Sequence, residues 1–343
     1  MANIGDVAKL AGTSTMTVSR VLNDTGNVKP ENVEKVKDAI SKLNYRPNML
    51  ARGLATKRSH TIALVMVNIS DPFHNLVYEG MEDVCYRRGY TNIICDTFTK
   101  DRETNYINWL GDRQIDGAVF HHLDLSERDV LGLMEKGVTC LLLDNERILD
   151  NACNIMTNNY KGGRLAAEHL VSKGHQRIAY LHGWLQKPNI SGVAFAESFQ
   201  FNIWRERTRG FLDVLQENDL DTKHAYQAEL YRDENFYDFN HLLESLLEET
   251  AKTTAIYCEN DVMAMGVLRA IHKKGLRAPD DLAVIGHDGL DICTWVYPSL
   301  TTISQPRREM GSASAELLID LIEKKAAPQN IILEPKLIQG GTT

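Results

Sequence analysis

The sequence predicts a small all-α helix-turn-helix domain followed by an α/β two-lobed body with parallel sheets. Three observations predict it. Two short amphipathic stretches joined by a tight turn lie between Asn3 and Asn23. At Thr61 the texture changes to near-continuous apolar runs alternating with amphipathic ones, and that alternation then recurs as a second series. Strands lacking a polar face belong to parallel sheets covered on both sides. At 343 residues the chain is long enough for a small domain and large lobes.

The first helix starts at Asn3, a cap residue, with Asp6 three residues on in the manner of a capping box. Ile4, Val7, Ala8 and Ala11 form its apolar stripe, and Gly12 is a natural stop. Ser14 opens a second helix that turns Val18, Val21 and Leu22 inward and leaves Thr15, Met16, Thr17, Ser19 and Arg20 outside. Hydroxyls reach phosphates or base edges, an apolar group touches a thymine methyl, and Arg pairs with guanine, so this face suits a DNA major groove. The bland alternative is a helical hairpin capping another domain. A third helix is expected from Pro30 to Leu43, with Val33, Val36, Ile40 and Leu43 buried.

Charge separates the two parts. The whole chain carries a formal net charge of −8, yet residues 1–60 hold ten Lys/Arg against five Asp/Glu. A basic arm on an acidic body favours DNA at one end only. The linker NYRPNMLARGLATKRSH (44–60) carries Asn48 as a cap for a short helix containing Gly53 and Leu54. A helix of about two turns is unstable alone and needs a support, such as DNA or a second copy of itself; a plain tether is the other reading.

The six cysteines (Cys85, Cys95, Cys140, Cys153, Cys258 and Cys293) show no CxxC and no His at metal spacing, which favours buried reduced thiols. Asp6 and Lys9 interrupt any leader-like apolar run, and no run approaches transmembrane length, so the cytoplasm is the expected compartment. No cofactor and no metal are expected.

In the body, strands are expected at 61–69, 91–98, 117–122 and 139–145, and then at 177–183, 225–232, 254–260 and 282–289. Helices are expected at 72–88, 102–112, 127–136, 160–172, 202–216, 234–249 and 262–274. Ligands in such folds collect at the carboxyl ends of the strands. The polar residues there are Asn68, Asp71, Asp144, Asn145, Asn260, Asp261 and Asp288.

The stretches DVAKLAGTSTMTVSRVLN, NYRPNMLARGLATKRS, NNYKGGRLAAEHLVSKGH, RGF (209–211), ENDVMAMGVLRAIHKKGLRAPDDLAVIGHDG and LTTISQP resemble, in spacing and order, the lac repressor-type (LacI/GalR) family of bacterial transcription regulators. The resemblance spans essentially the whole chain. It implies a helix-turn-helix domain over 1–46, a hinge linker over 47–60 and a periplasmic-binding-protein-like body over 61–343. The lobes would cover roughly 61–158 and 159–290, with 291–343 crossing between them.

Carried over residue by residue, the resemblance implies that Thr15, Met16 and Arg20 read bases, and that Ser14, Thr17 and Ser19 contact phosphates or orient the helix. Asn48 and Leu54 complete the DNA-binding set, Leu54 as a wedge in the minor groove at the centre of a palindrome. Phe73, Asp144, Arg207, Asn260 and Asp288 would bind a small effector between the lobes. Carboxylates and an arginine fork suit a sugar or polyol, while some relatives hold purines on the same framework. Asn260 and Asp261 could equally cap the helix beginning at Val262, and Asp144 could serve a structural bond at a strand end. The implied partners are a pseudo-palindromic double-stranded DNA operator, a small-molecule effector and a second copy of the chain, with no membrane. No heptad helix follows NIILEPKLI, so a homodimer is expected rather than a tetramer.

The chain departs from the family's pattern in places. Lys29 stands where a capping Ser or Thr is usual, Asn158 where Asp is frequent, and Trp184 where Pro is common. The stretch 186–201 is longer than usual, aromatic, and readable as a lid or as a surface or dimer-contact insertion.

Enzymatic readings find little support. GxxxxGK[ST], GxSxG and HExxH do not occur, so no catalytic residues are expected. His121 and His122, with Asp124 nearby, lack a second ligand cluster; surface or hydrogen-bonding roles are expected instead. The expected function is sequence-specific DNA-binding transcription regulation, as a repressor whose operator affinity a sugar-like effector controls. A purine or nucleoside corepressor is one alternative, and a sugar-binding or sugar-acting protein with an appended helical domain is another.

Overall fold

The structure is a computed structural model. It describes residues 2–22, 26–45, 58–97, 100–112, 115–121, 126–145, 149, 152–182, 185–186, 202–220, 225–227, 230–231 and 253–343. The expected linker helix with Asn48 and Leu54, His122, Asp124, Trp184, residues 187–201 and the expected helix at 234–249 lie outside the described residues. The chain divides into two compact units, Met1–Ser59 and His60–Thr343.

The first unit holds α1 (Ile4–Ala11), α2 (Thr15–Leu22) and α3 (Pro30–Leu43). The capping box forms: Oδ1 of Asn3 accepts from the N–H groups of Gly5 and Asp6 at 2.8 and 3.1 Å, and Asp6 accepts from the Asn3 N–H at 2.8 Å. Gly12 ends α1 at φ 63°, a conformation that costs glycine nothing. Val7, Ala8, Ala11, Val18, Val36 and Ala39 make the core, with Ile4, Val21, Leu22, Ile40 and Leu43 packed half-buried against it. Ala39, which the apolar pattern of α3 passes over, is more deeply buried than Val33 or Ile40 and belongs to the core shared with α1 and α2. Lys29 makes no side-chain cap; Pro30 opens α3 instead.

The second unit begins with β1 (Thr61–Met66), α4 (Phe73–Arg88), β2 (Thr91–Asp96), α5 (Lys100–Asp112), β3 (Gly117–His121), α6 (Glu127–Glu135), β4 (Thr139–Leu143) and β5 (Cys153–Thr157). It continues with α7 (Asn159–Ser172), β6 (Ile178–His182), β7 (Leu185–Gln186), α8 (Asn202–Glu217), β8 (Ala225–Gln227), β9 (Leu230–Tyr231), β10 (Ala255–Cys258), α9 (Asp261–Lys273) and β11 (Ala283–Asp288). A 3-10 turn (Asp291–Thr294), β12 (Thr301–Ser304), α10 (Arg307–Ile322), β13 (Ile331–Leu333) and β14 (Lys336–Ile338) complete it.

Two six-stranded sheets result, ordered β2-β1-β3-β4-β5-β13 and β8-β6-β10-β11-β12-β14; β7 and β9 form a separate pair. The two sheets share one winding: their first five strands run in the spatial order 2-1-3-4-5, a doubly wound pattern whose switch point lies between the first and third strands. Pairing is parallel throughout both sheets, as expected, except for the edge strand β14, which runs antiparallel to β12.

Three crossings link the lobes. The chain leaves the first sheet after Thr157 and the second after Ser304, and between Leu333 and Lys336 it returns once more. Helix α10 therefore packs in the first lobe: Met310, Ala315, Leu317, Leu318 and Ile319 share a core with Ile62, Leu64, Val77 and Met81. Helix α10 and strand β5 were not anticipated from the sequence, whereas β13 falls in the strand-like NIILEPKLI. CNIMT puts a buried Asn154 mid-strand, anchored through its N–H to Oδ1 of Asn330 at 2.9 Å, and this breaks the apolar run.

Each lobe locks one helix pair by backbone contact. A methyl on Gly80 of α4 would overlap the Arg308 carbonyl of α10, and one on Gly311 would overlap that of Val77. In the second lobe Gly163 of α7 and Gly210 of α8 stand in the same relation to the carbonyls of Arg207 and Tyr160. Both glycines of that second pair lie in the family-like motifs NNYKGG and RGF.

Candidate nucleic-acid interface and effector site

Helix α2 offers one outward face. Met16 is 63% exposed, and Thr15 and Arg20 are exposed with it, while Val18 is completely buried. Ser14 spends its hydroxyl locally, accepting from the Thr17 N–H at 3.1 Å and meeting the Thr17 hydroxyl at 3.0 Å. It therefore fixes the helix start, and Thr17 and Ser19 lie half-buried on its flanks. Three residues remain fully presented to a partner: a hydroxyl, a thioether and a guanidinium.

At the carboxyl end of the first sheet, Phe73 opens α4 and is buried; its N–H donates to Oδ1 of Asp71 at 2.9 Å. Two histidines pack beside it. The ring of His121 lies 5.8 Å from Phe73 and 4.8 Å from His74, and the His74 Nε2 lies 3.1 Å from the Val67 carbonyl. His121 is fully buried, which overturns a surface role for it. Asp144 has φ 49°, and its Oδ1 accepts from the Thr157 N–H at 3.1 Å. One of its oxygens thus serves a strand-end bond beside the first crossing, the structural alternative named above.

At the carboxyl end of the second sheet, Arg207 is buried. Its Nη1 donates to the Glu259 carbonyl at 2.7 Å and its Nη2 to Oδ1 of Asn159 at 2.8 Å, while Nε has no hydrogen-bond partner among the described residues. Asp288, at φ 110°, accepts from the Gln305 side-chain amide at 2.9 Å. Burial pushes Asp288 well above the usual carboxylate range. Arg207 and the Gln305 bond oppose that push, and the charges of Asp261 and of Asp71 in the first lobe add to it. Asp71, Arg207, Asp261 and Asp288 therefore share one electrostatic neighbourhood spanning both lobes.

The remaining strand-end residues serve the frame. Asn260 caps α9, accepting from the Met263 N–H at 2.8 Å. Asp261 is fully buried, accepting from the Thr302 hydroxyl at 2.6 Å and the Leu290 N–H at 2.7 Å. Asn158 caps α7 through the Lys161 N–H and bonds Glu334, so it too is held by structural partners.

Several residues here escaped the sequence reading. Asn159, His74, Glu259, Gln305 and Arg307 all gather at these strand ends. Arg307 donates to the Gly289 carbonyl at 2.6 Å, and its Nε, like Oε1 of Gln305, lacks a partner among the described residues. Behind them Tyr257 and His287 are joined at 2.7 Å, and burial holds His287 well below the usual imidazole range. The motifs NNYKGG, ENDVMAMG and LTTISQP carry Asn159, Glu259 and Gln305, whereas His74 and Arg307 lie outside the quoted stretches. Among the described residues no group of His, Cys, Asp and Glu could hold a metal ion.

Comparison with known proteins agrees with this architecture. Residues 3–48 match the model for bacterial regulatory proteins of the lacI family, and residues 167–343 match that for a periplasmic binding protein-like domain. The chain is 32% identical over 348 residues to the HTH-type transcriptional repressor PurR of Vibrio atlanticus (strain LGP32), covering 100% of this chain and 98% of that one. A lac repressor dimer bound to operator and the anti-inducer ONPF superposes with a TM-score of 0.79 at 28% identity, over 99% and 98% of the two chains. A complex of the transcriptional regulator CelR with cellobiose gives 0.70 at 25% identity, over the full length of both. The chain belongs to the lacI family of bacterial regulatory proteins and is a DNA-binding transcriptional repressor under small-molecule control, not an enzyme.

Proposed function

We propose that the chain acts as a cytoplasmic homodimer on a pseudo-palindromic operator and that a neutral sugar-like effector, held between the lobes, controls its affinity for that operator. Thr15, Met16 and Arg20 read bases, Ser14, Thr17 and Ser19 set the helix against the backbone, and the linker over 47–60 supplies Asn48 and Leu54. The observation that carries the effector reading is the group of buried Arg207 and Asp288 with half-buried Asp71. It offers a carboxylate acceptor from each lobe and one guanidinium Nε without a partner among the described residues, flanked by the open Oε1 of Gln305. A hydroxyl both donates and accepts, so vicinal hydroxyls match such a set. Carboxylates outnumber cations in it, which disfavours a phosphorylated ligand. Phe73 forms the apolar wall, and Asp144 and Asn260 hold the strand ends in shape.

A second reading, a purine base, is favoured by the aromatic side chain of Phe73, backed by the rings of His74 and His121, at the carboxyl end of the first sheet. Effector binding changes the angle between lobes that three crossings join, and by linkage the operator changes effector affinity by the same factor. A thermal-shift screen of monosaccharides, disaccharides, nucleosides and purine bases tests the effector class. Stabilisation by hydroxyl-rich neutral ligands supports the first reading, whereas stabilisation only by purines or by phosphorylated sugars rejects it. No helix among the described residues is long and apolar enough to cross a membrane.

A further inference from the structure

The chain enters the body through a backbone conformation that L-residues adopt at a cost. His60 has φ 51°, in the left-handed region where Cβ crowds the following carbonyl. Three contacts hold it there. Its N–H donates to Oδ2 of Asp116 at 2.9 Å, its carbonyl accepts from the Thr91 N–H at 2.7 Å, and its ring lies 5.1 Å from that of Tyr90. Asp116 and Tyr90 are both buried.

The partner that receives the His60 N–H is itself built into the sheet. The Asp116 N–H donates to the Thr61 carbonyl at 2.8 Å, and its carbonyl accepts from the Thr139 N–H at 3.0 Å. Asp116 thus ties β1, β3 and β4 together at their amino ends. The opposite ends of β1 and β3 run into the Asn68–Phe73 turn and end at His121, beside the candidate effector site.

We propose that Asp116, supported by Tyr90, is a positioning residue for DNA binding: it fixes the point and direction at which the linker leaves the body, and so sets the half-site spacing that the dimer accepts. The proposal rests on the reading of a dimer on palindromic DNA. A linker leaving through freely rotating backbone would follow half-sites of altered spacing. One held in the left-handed conformation and bonded to a central strand would not. An added base pair at the centre turns one half-site by about a tenth of a helical turn relative to the other.

The test uses the full-length protein to select a duplex in vitro, then compares that palindrome with the same duplex carrying one extra central base pair. For the unaltered protein the insertion is expected to weaken binding by about tenfold or more. For Asp116→Ala the penalty shrinks to about threefold or less, and Asp116→Asn, which keeps a side-chain oxygen for the His60 N–H, restores most of it. A merely structural role lowers affinity for both duplexes alike and leaves their ratio unchanged. That result overturns the proposal, as does indifference of the unaltered protein to the insertion. If Asp116→Ala does not fold, His60→Gly carries the same expectation, since glycine relaxes the entry backbone and removes the Tyr90 contact. Recovery of no duplex at all sinks the DNA-reading assignment and this proposal together, whereas a selected duplex with an unchanged ratio sinks this proposal alone.

Discussion

Nη2 of Arg207 donates to Oδ1 of Asn159 at 2.8 Å, which ties the buried cation of the second lobe to the residue at which the chain first crosses between lobes. Nη1 of the same guanidinium holds the Glu259 carbonyl at the end of β10. Whatever ligand engages Nε therefore acts on a group already joined to the first residue of α7, just past the first crossing.

Asn159→Ala removes that acceptor and leaves a buried cationic N–H unpaired. The expected loss is about 1–3 kcal/mol of stability, read from urea unfolding. Effector affinity should fall with it, because the guanidinium is no longer held in place. Unchanged unfolding and unchanged ligand binding together would mean the bond is incidental.

The glycine contacts make a separate prediction. Gly311→Ala forces α10 away from α4 at the Val77 carbonyl, and Gly163→Ala forces α7 from α8 at the Arg207 carbonyl. Each should cost about 1–3 kcal/mol through overpacking. Only Gly163→Ala should also disturb effector binding, since the displaced carbonyl belongs to Arg207. Calorimetric melting temperatures and ligand titration of both variants separate the two effects.

The reading helix was legible because its pattern is local: capping at Asn3, the stop at Gly12 and the outward set at Thr15, Met16 and Arg20 all follow from spacing within one or two turns. The alternating body was legible for the same reason. The crossings were not legible locally; only the resemblance implied that 291–343 passes between the lobes. Helix α10 follows the second lobe in sequence yet packs in the first, and β13 joins the first sheet beside β5, so neither placement is encoded in neighbouring residues. The candidate effector site was legible in part. Arg207 and Asp288 came from the family resemblance; Asn159 and Gln305 lie in the family-like motifs without a role legible there, and Arg307 reaches the same strand ends only through tertiary contact.

Arg20 gives the sharpest test of the reading face. It is exposed on α2 beside Met16, and a guanidinium pairing with guanine discriminates one base position by about 1–3 kcal/mol. Arg20→Ala should relax preference at one position per half-site and leave the others intact. Selection profiles of the two proteins, compared base by base, check it; identical profiles would remove Arg20 from the reading set.

Asp261 predicts a pH dependence of stability. Burial pushes its carboxyl up from an ordinary value of 3.8 to about 6, against the Thr302 and Leu290 hydrogen bonds that favour the carboxylate. A carboxyl whose pKa is raised on folding favours the folded state while protonated. Its contribution is complete below pH 3.8 and lost as pH rises through about 6. Asp261→Asn cannot ionise, so its stability relative to the unaltered protein should climb between pH 4 and 6, by up to about 3 kcal/mol. Urea midpoints at several pH values measure this, and a flat difference across the window would show that Asp261 stays ionised in the fold.

Asp288 carries the most direct prediction about control. Its carboxylate is buried at the end of β11, accepts from the Gln305 amide on the second crossing, and lies within reach of the charge of Asp71 in the other lobe. A hydroxyl donated to Asp288 would bind the second lobe and at the same time pull on the crossing that leads into α10. Asp288→Ala removes both connections, so ligand-induced thermal stabilisation and the ligand-dependent change in operator affinity should disappear together. Operator affinity without ligand should stay within about threefold of the unaltered protein, because the reading helix is untouched, a shift of under about 1 kcal/mol. Asp288→Asn keeps an oxygen for Gln305 but not the second acceptor for a ligand hydroxyl. It should therefore preserve stability while losing effector affinity, and a normal ligand response in Asp288→Asn would move the effector away from this strand end.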